Sequence, residues 1–138
     1  APRPAGGGGA ADAEDAGLRI VVADDNVDAA IMLGSVLEAI GHRAETVHDG
    51  LSALRRIVAA KPDLAIVDIG MPGLNGYEVA KQIRAQPEMA GTLLVALTGW
   101  GGELDRSRSD DAGFDAHLTK PAGLDELSGI LERARARR

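Results

Sequence analysis

The stretch that most constrains the fold is a short apolar run, Leu64 to Val67, which ends in a single carboxylate, Asp68. Pro62 precedes the run and Met71-Pro72-Gly73 follows it, so the run is too short for a helix and is typical of a buried strand. The Pro-Gly pair ends that strand at once. We therefore expect Asp68 where a strand meets a loop, and ligands of open α/β sheets bind at such strand ends.

Apolar runs alternate with helical patterns along the rest of the chain. The first, third and fourth runs are nearly continuously apolar, which indicates strands that are covered on both faces, whereas residues 43–47 predict only a weak strand. The expected strands cover residues 18–23, 43–47, 63–68, 92–98 and 114–119, and the expected helices cover residues 27–40, 50–60, 76–85, 101–112 and 124–135. This order predicts an α/β fold with right-handed crossovers, in which helices cover both faces of a parallel sheet.

Four of the five expected helices have a clear apolar face. The residues expected to face the sheet are Ile31, Val36, Leu37 and Ile40; Leu51, Leu54, Ile57 and Val58; Val79, Ala80 and Ile83; and Leu124, Leu127, Ile130 and Leu131. The segment 101–112 is polar and rich in Arg and Asp, so we expect it to be the most mobile helix. His42 and His48 are expected at the surface.

Composition excludes several classes of function. The net charge of -6 disfavours non-specific binding of nucleic acid and anionic membranes, so neither contact is expected. The chain has no cysteine, which rules out a disulfide framework and a thiolate metal site. No apolar run approaches the roughly 20 residues that span a bilayer, and no signal peptide is visible. The expected location is cytoplasmic.

The first 17 residues differ from the rest in composition. They contain four consecutive glycines, Gly6 to Gly9, and too little apolar surface to offset the backbone entropy of folding. Residues 1–17 are therefore predicted to be a flexible linker and residues 18–138 a single folded domain. The linker fits a module from the C-terminal end of a longer protein, and an ordinary ragged terminus fits the same residues.

Chemically capable side chains follow four of the expected strands: Asp24 with Asp25, then Asp68, Thr98 and Lys120. Parallel strands end at one edge of a sheet, so these groups converge if strands one and three are neighbours. Two unit charges 4 Å apart repel by roughly 4 kcal/mol at an effective dielectric constant near 20, so three carboxylates with one lysine favour a bound cation. Oxygen ligands without His or Cys suit Mg²⁺ or Mn²⁺.

Such a pocket fits a phosphoryl group. A divalent cation neutralises charge, a lysine pairs with a phosphoryl oxygen and Thr98 donates a hydrogen bond, which leaves Asp68 as the candidate nucleophile. Structural explanations exist for the same residues: Asp24 and Asp25 as helix caps, Lys120 as a solvated surface residue, and Thr98 as an ordinary strand-end hydroxyl.

Four motifs at these strand ends resemble one known family. The motifs are Val22-Ala23-Asp24-Asp25-Asn26, Asp68-Ile69-Gly70-Met71-Pro72-Gly73-Leu74-Asn75-Gly76, Ala96-Leu97-Thr98-Gly99 and Leu118-Thr119-Lys120-Pro121. With them, residues 18 to about 135 resemble the receiver domain of bacterial two-component response regulators. The run Gly113-Phe114-Asp115-Ala116-His117-Leu118-Thr119-Lys120-Pro121 resembles in particular the receivers fused to the C-terminus of hybrid histidine kinases. The resemblance implies a flavodoxin-like fold with strand order 2-1-3-4-5 and five helices.

The resemblance also implies a phosphoacceptor function and its cofactor. Asp68 would accept a phosphoryl group from a phosphohistidine on a histidine kinase or a histidine phosphotransfer domain. Mg²⁺ would be bound by Asp25, Asp68 and the Gly70 carbonyl, with Asp24 acting mainly through water. The isolated domain is expected to be monomeric and to be a signalling module rather than an enzyme.

The remaining implied roles concern the response to phosphorylation. Thr98 and Lys120 would bind phosphoryl oxygens, and the peptide bond between Lys120 and Pro121 is expected to be cis, which is seen in only about 5–6% of such bonds. His117 stands where the family commonly has Tyr or Phe, an aromatic residue that turns inward when the threonine moves. His117 is therefore a candidate switch, and a partly buried strand histidine is the alternative.

Two rival functions belong to other classes. A metal-dependent phosphohydrolase would use the same pocket, but Gly70 stands two residues after Asp68, where a second carboxylate would act as acid or base. A structural pseudo-receiver would bind partners without phosphorylation, and the complete set of acidic residues argues against it.

Overall fold

The computed structural model describes residues 17–99 and 106–137. Its described strands are β1 (Arg19–Ala23), β2 (Arg43–Val47), β3 (Leu64–Asp68), β4 (Leu93–Thr98) and β5 (Ala116–Thr119). Its described helices are α1 (Val27–Ala39), α2 (Gly50–Ala60), α3 (Gly76–Arg84), α4 (Arg106–Ala112) and α5 (Leu124–Ala136), with a 3₁₀ turn at Pro87–Met89. The predicted linker, except Gly17, and the first part of the predicted fourth helix lie outside the described residues.

All strand pairs in the sheet are parallel, and the strand order is β2-β1-β3-β4-β5. The predicted doubly wound order is therefore confirmed. Ala23 pairs with Val67, Asp68 with Leu97, and Thr98 with Thr119. This register brings the carboxyl ends of β1, β3, β4 and β5 to one edge of the sheet.

The core consists of two apolar layers, one on each face of the sheet. One layer packs the strands against α1 and α5, through residues such as Leu37 and Leu127. The other packs them against α2, α3 and α4, through residues such as Ile57, Ile83 and Ala112. Every residue of β3 is buried, as its uninterrupted apolar run indicates.

The predicted inward face of α1 is wrong for three of its four residues. Ala30, Gly34 and Leu37 are buried, whereas the exposed residues of the predicted face are Ile31, Val36 and Ile40. The helix lies so close to β2 that a Cβ atom at Gly34 would stand 3.3 Å from the side chain of Thr46. Small residues permit this close approach, so the large apolar side chains are left outside it.

Two further inward predictions are wrong at the starts of helices. Leu51 is 47% exposed and Leu124 is 60% exposed. Both lie in the first turn of a helix, at the edge where the strands end and where less sheet is available to cover a side chain. The predicted residues that are buried are Leu37, Ile57, Val79, Ala80, Ile83, Leu127, Ile130 and Leu131.

His42 is buried, so its predicted surface position is also wrong. Only 7% of the residue is exposed, and its Nδ1 atom accepts a hydrogen bond of 2.9 Å from the backbone N–H of Leu18. Burial lowers the pKa of His42, and the charge of Arg135 lowers it further. The neutral imidazole thus satisfies a backbone donor at the start of β1.

Candidate functional site

Asp68 occupies the last position of β3, at the edge where the strands end, and 6% of the residue is exposed. Its Oδ1 atom accepts a hydrogen bond of 3.0 Å from the backbone N–H of Gly70. Its Oδ2 atom lies 3.1 Å from Nζ of Lys120. Both carboxylate oxygens are therefore oriented by donors that stabilise the ionised form.

The loop after Asp68 returns over the end of its own strand. The backbone N–H of Gly76 donates to the carbonyl of Ile69, and Asn75 caps α3 with a capping box completed by Glu78. A Cβ atom at Gly76 would stand 2.6 Å from the carbonyl oxygen of Asp68 and 2.8 Å from Cα of Ile69. Glycine at this position thus allows the loop to close beside the carboxylate.

Asp24 and Asp25 follow β1, the strand next to β3. Asp24 is 1% exposed, and its Oδ1 atom accepts a hydrogen bond of 3.0 Å from the backbone N–H of Asn26. Asp25 is exposed. The side chain that caps α1 is that of Asn26, which accepts from the N–H of Ala29, so the cap does not account for either aspartate.

The β1–α1 loop is attached to the end of β2. The backbone N–H of Asp24 donates to the carbonyl of Val47 at 3.0 Å, and Nδ1 of His48 lies 3.1 Å from the carbonyl oxygen of Asp24. Sequence reasoning missed this role of His48, which is half-buried rather than exposed. Its position directly after β2, at the same sheet edge as Asp24, was the available signal.

The structure brings together the three carboxylates predicted to bind a metal. Asp24, Asp25 and Asp68 each offer an oxygen atom, and these atoms lie within 4.8 Å of one another. Gly70, the fourth predicted ligand, is held beside them by its hydrogen bond to Asp68. An all-oxygen donor set of carboxylates and a backbone carbonyl suits Mg²⁺ or Mn²⁺ rather than a soft ion.

Lys120 connects the acidic residues of two strands. Its Nζ atom lies 3.0 Å from Oδ2 of Asp24 and 3.1 Å from Oδ2 of Asp68. Its backbone N–H donates to the carbonyl of Thr98 at 2.7 Å, and its peptide bond to Pro121 is cis. The ammonium group thereby offsets part of the repulsion between the two aspartates.

The pKa values of these three groups follow from this arrangement. Burial, together with the neighbouring Asp68, raises the pKa of Asp24. Burial would also raise the pKa of Asp68, but the Gly70 N–H and Lys120 outweigh it, and the pKa is lowered. The two carboxylates raise the pKa of Lys120 against the effect of its burial. Of the two buried carboxylates, Asp68 is therefore the one whose ionised form the surroundings favour.

Thr98 ends β4, next to β3, and 6% of the residue is exposed. Its Oγ1 atom lies 3.5 Å from the carbonyl oxygen of Leu118, at the long limit of a hydrogen bond. The hydroxyl is therefore held only weakly.

His117 lies in β5, where it is half-buried and pairs with Ala96. Its Nε2 atom lies 2.9 Å from Oγ of Ser109, on α4. Sequence reasoning missed Ser109, because a serine inside an Arg- and Asp-rich segment carries no signal of burial.

Comparisons with known proteins agree with this fold. The family profile described as "Response regulator receiver domain" matches residues 20–132. The chain is 37% identical over 122 residues to the transcriptional regulatory protein TcrA of Mycobacterium tuberculosis. This match covers 88% of the chain and 47% of that protein. The chain is 36% identical over 122 residues to the sensor histidine kinase AtsR of Burkholderia thailandensis. This match covers 86% of the chain and 20% of that protein. The chain thus spans about half, or less, of these curated relatives.

A similar solved structure comes from Pseudomonas aeruginosa. It is the receiver domain of the sensor histidine kinase PA1611 with a magnesium ion coordinated in the active site cleft. The two chains are 31% identical, with a TM-score of 0.79, and the match covers 88% of this chain and 99% of that one. Among the helices described for this chain, none is both long enough and apolar enough to cross a membrane.

Proposed function

This chain belongs to the response regulator receiver domain family, the phosphoacceptor signalling modules of two-component systems, and on that premise we propose that Asp68 is its phosphoacceptor. The observation that carries the proposal is the position of Asp68. It is a buried carboxylate held between the Gly70 N–H and Lys120, beside two further aspartates. A receiver of this kind passes on a signal and does not turn over a metabolite.

In the proposed transfer, one carboxylate oxygen of Asp68 attacks the phosphorus atom of a phosphohistidine. The new P–O bond forms as the P–N bond breaks, and the departing imidazole takes up a proton from water. The products are an aspartyl phosphate on this chain and a neutral histidine on the donor. The lowered pKa of Asp68 keeps its carboxylate ionised for this attack.

Asp24, Asp25, Asp68 and the carbonyl of Gly70 would hold a magnesium ion, and the magnesium-bound receiver of PA1611 supports this assignment. When bound, the ion supplies positive charge that neutralises the aspartates and the incoming phosphoryl oxygens. Asp25, in the loop after β1, would contribute a ligand oxygen, and Asp24 would act mainly through water. Mn²⁺ has the same ligand preferences and is expected to substitute.

Thr98 and Lys120 would bind the phosphoryl oxygens once Asp68 is modified. A phosphoryl group brings about -1.5 to -2 units of charge and three acceptor oxygens, so a loosely bonded hydroxyl and an ammonium group are suitable partners. Movement of Thr98 would shift the end of β4 and the segment leading to α4. The surface formed by α4, β5 and α5 would then change its affinity for a partner.

Membership of the family implies a histidine kinase as partner. We propose that the donor is either such a kinase or a separate histidine phosphotransfer domain. Neither nucleic acid nor a membrane is proposed as a direct partner, because the net charge of -6 opposes both. The proposed form of the isolated domain is a monomer.

Chemical trapping tests the acceptor assignment at the level of the residue. Borohydride reduces an aspartyl phosphate to homoserine, so the chain is incubated with acetyl phosphate and Mg²⁺, reduced and digested. Homoserine in the peptide that contains residue 68, and at no other aspartate, is the expected result. Homoserine at Asp24 or Asp25 instead would overturn the assignment. Repeated release of phosphate from a small phosphomonoester would favour the phosphohydrolase.

A further inference from the structure

Helix α4 is attached to the domain without a large apolar side chain in its described part. Residues 108–112 read Arg-Ser-Asp-Asp-Ala, and the buried ones are Ser109 and Ala112. The guanidinium of Arg108 adds a contact with the ring of Tyr77 on α3, at 4.3 Å from the ring centroid. Two small side chains bury little apolar area, so polar contacts contribute much of the attachment.

The most buried of these polar contacts joins Ser109 to His117. Ser109 is 0% exposed, and its Oγ atom lies 2.9 Å from Nε2 of His117 on β5. Loss of the hydrogen-bond partner of a buried hydroxyl destabilises the fold, because the desolvation of the hydroxyl is then no longer compensated. The hydrogen bond therefore contributes both to the position of α4 and to the orientation of the His117 ring.

The same contact lies close to the residues proposed to bind the phosphoryl group. His117 pairs with Ala96, two residues before Thr98, and it precedes Lys120 by three residues. Lys120 in turn donates its backbone N–H to the carbonyl of Thr98 at 2.7 Å. A displacement of the end of β4 would therefore act directly on the strand that carries His117.

We propose that the hydrogen bond between Ser109 and His117 is a latch that holds α4 on β5 in the unphosphorylated domain and opens when Asp68 is phosphorylated. Ser109 is then a positioning residue of the output surface and takes no part in phosphoryl transfer. The opening step rests on the proposed function, since it needs a modified Asp68. The closed state of the latch does not depend on modification of Asp68, so it can be tested in the unmodified chain.

Amide hydrogen exchange of the α4 backbone tests the closed latch. We expect Ser109→Ala to speed exchange in α4 about two- to tenfold, the range that corresponds to the net contribution of one hydrogen bond. Alanine is the better helix former, so intrinsic propensity alone would change exchange in the opposite direction. Ser35→Ala at an exposed position of α1 is the matched control and should leave exchange in α4 unchanged.

His117→Phe provides the second variant, because it keeps a planar ring but removes the ring nitrogen. It should loosen α4 at least as much as Ser109→Ala does, and the double variant should add nothing to the effect of His117→Phe alone. Equal protection of α4 in Ser109→Ala and the native chain would overturn the latch. Fully additive effects of the two substitutions would also overturn it.

Beryllofluoride with Mg²⁺, which imitates the phosphoryl group, tests the opening. In the native chain it should speed exchange in α4 and shift the ¹⁵N resonance of His117 Nε2 in the direction that Ser109→Ala shifts it. In Ser109→Ala the further change should be small, while acetyl phosphate still labels Asp68. An unchanged His117 resonance in a native chain that labels normally would contradict the opening step. Failure of the native chain to label would contradict the proposed function instead.

Discussion

The ammonium nitrogen of Lys120 lies 3.1 Å from Oδ2 of Asp68. Lys120 directly follows β5 and Asp68 is the last residue of β3, and β4 lies between these two strands. The lysine also lies 3.0 Å from Asp24 at the end of β1. One cation thereby contacts carboxylates from two neighbouring strands. The geometry makes the charge balance of the pocket depend on Lys120 whenever no metal ion is bound, and this dependence can be measured.

Replacement of Lys120 by Met should raise the pKa of Asp68 in magnesium-free buffer. The depressed pKa of Asp68 contributes stability that is present above its ordinary value of 3.8 and is lost as the pH falls through the folded-state value. The substitution should therefore remove part of this stability at pH 7. Carboxyl ¹³C titration measures the pKa directly.

Without magnesium at pH 7, Lys120→Met should lower the free energy of unfolding by about 1–3 kcal/mol. This loss is smaller than that from breaking a fully buried ion pair, because the Lys120 side chain is 29% exposed. Magnesium should then raise the melting temperature more in the variant than in the native chain, since the site has become more negative. Lys81→Met, at an exposed position of α3, is the control. A smaller magnesium response in Lys120→Met than in the control would contradict the charge-balance account.

Gly76→Ala should destabilise the domain and weaken the metal site. Its Cβ would meet backbone atoms of Asp68 and Ile69 at 2.6 and 2.8 Å, so the end of β3 must shift. We expect a loss of about 2 kcal/mol or more, typical of overpacking, and a higher magnesium dissociation constant. Chemical denaturation and magnesium titration measure the two effects.

Gly129→Ala is the matched control, because its Cβ would meet nothing within 4 Å on the exposed side of α5. It should stabilise the chain by about 0.5–1 kcal/mol through helix propensity. Equal stability of the two variants would show that the loop does not pack against β3 as described.

His42 should make the stability depend on pH below neutrality. Its folded-state pKa is lowered from 6.5, so the unfolded chain binds the proton more readily, and stability falls as the pH drops below that value. His42→Asn keeps an acceptor near the position of Nδ1 and cannot titrate. We expect it to flatten the decline below about pH 6.5, as measured by denaturation at several pH values.

His42→Phe removes the acceptor and leaves the Leu18 N–H unpaired, so it should cost about 1–3 kcal/mol at pH 7.5. An acid decline that persists unchanged in His42→Asn would assign the pH dependence to other groups.

Thr98→Ala should separate labelling from the conformational response. The hydroxyl makes only a contact of 3.5 Å in the unmodified chain, so its loss should cost little stability and leave phosphorylation by acetyl phosphate largely intact. The beryllofluoride-induced change in α4 should be lost, as measured by hydrogen exchange. Thr119→Ala, at the exposed partner position on β5, is the control. A native response in Thr98→Ala would remove Thr98 from the relay.

The strand positions and the pocket were predictable because their signals are local. β3 is marked by a short apolar run with a proline and a glycine a few residues after it, and the parallel sheet follows from alternation with helices, whereas the strand order came from the family resemblance. Once the order is known, Asp24, Asp68 and Lys120 must meet at one edge. The cluster then follows from the topology alone.

The contacts that sequence reasoning missed depend on how closely elements approach one another. Gly34 allows α1 to pack closely on β2, which leaves Ile31 exposed. Helical periodicity does not predict how closely a helix packs on a strand. The burial of His42 and Ser109 depends on neighbours 24 and 8 residues away in the chain. Tertiary packing decides such positions, and residue type gives little indication of them.

Intact-mass spectrometry after incubation with acetyl phosphate tests the central claim, that Asp68 is the phosphoacceptor, most directly. The native chain and Asp110→Asn, an exposed acidic control on α4, should each gain one phosphoryl group with Mg²⁺ and none with a chelator. Asp68→Asn should gain none under either condition. Full phosphorylation of Asp68→Asn, at the rate of the native chain, would contradict the account.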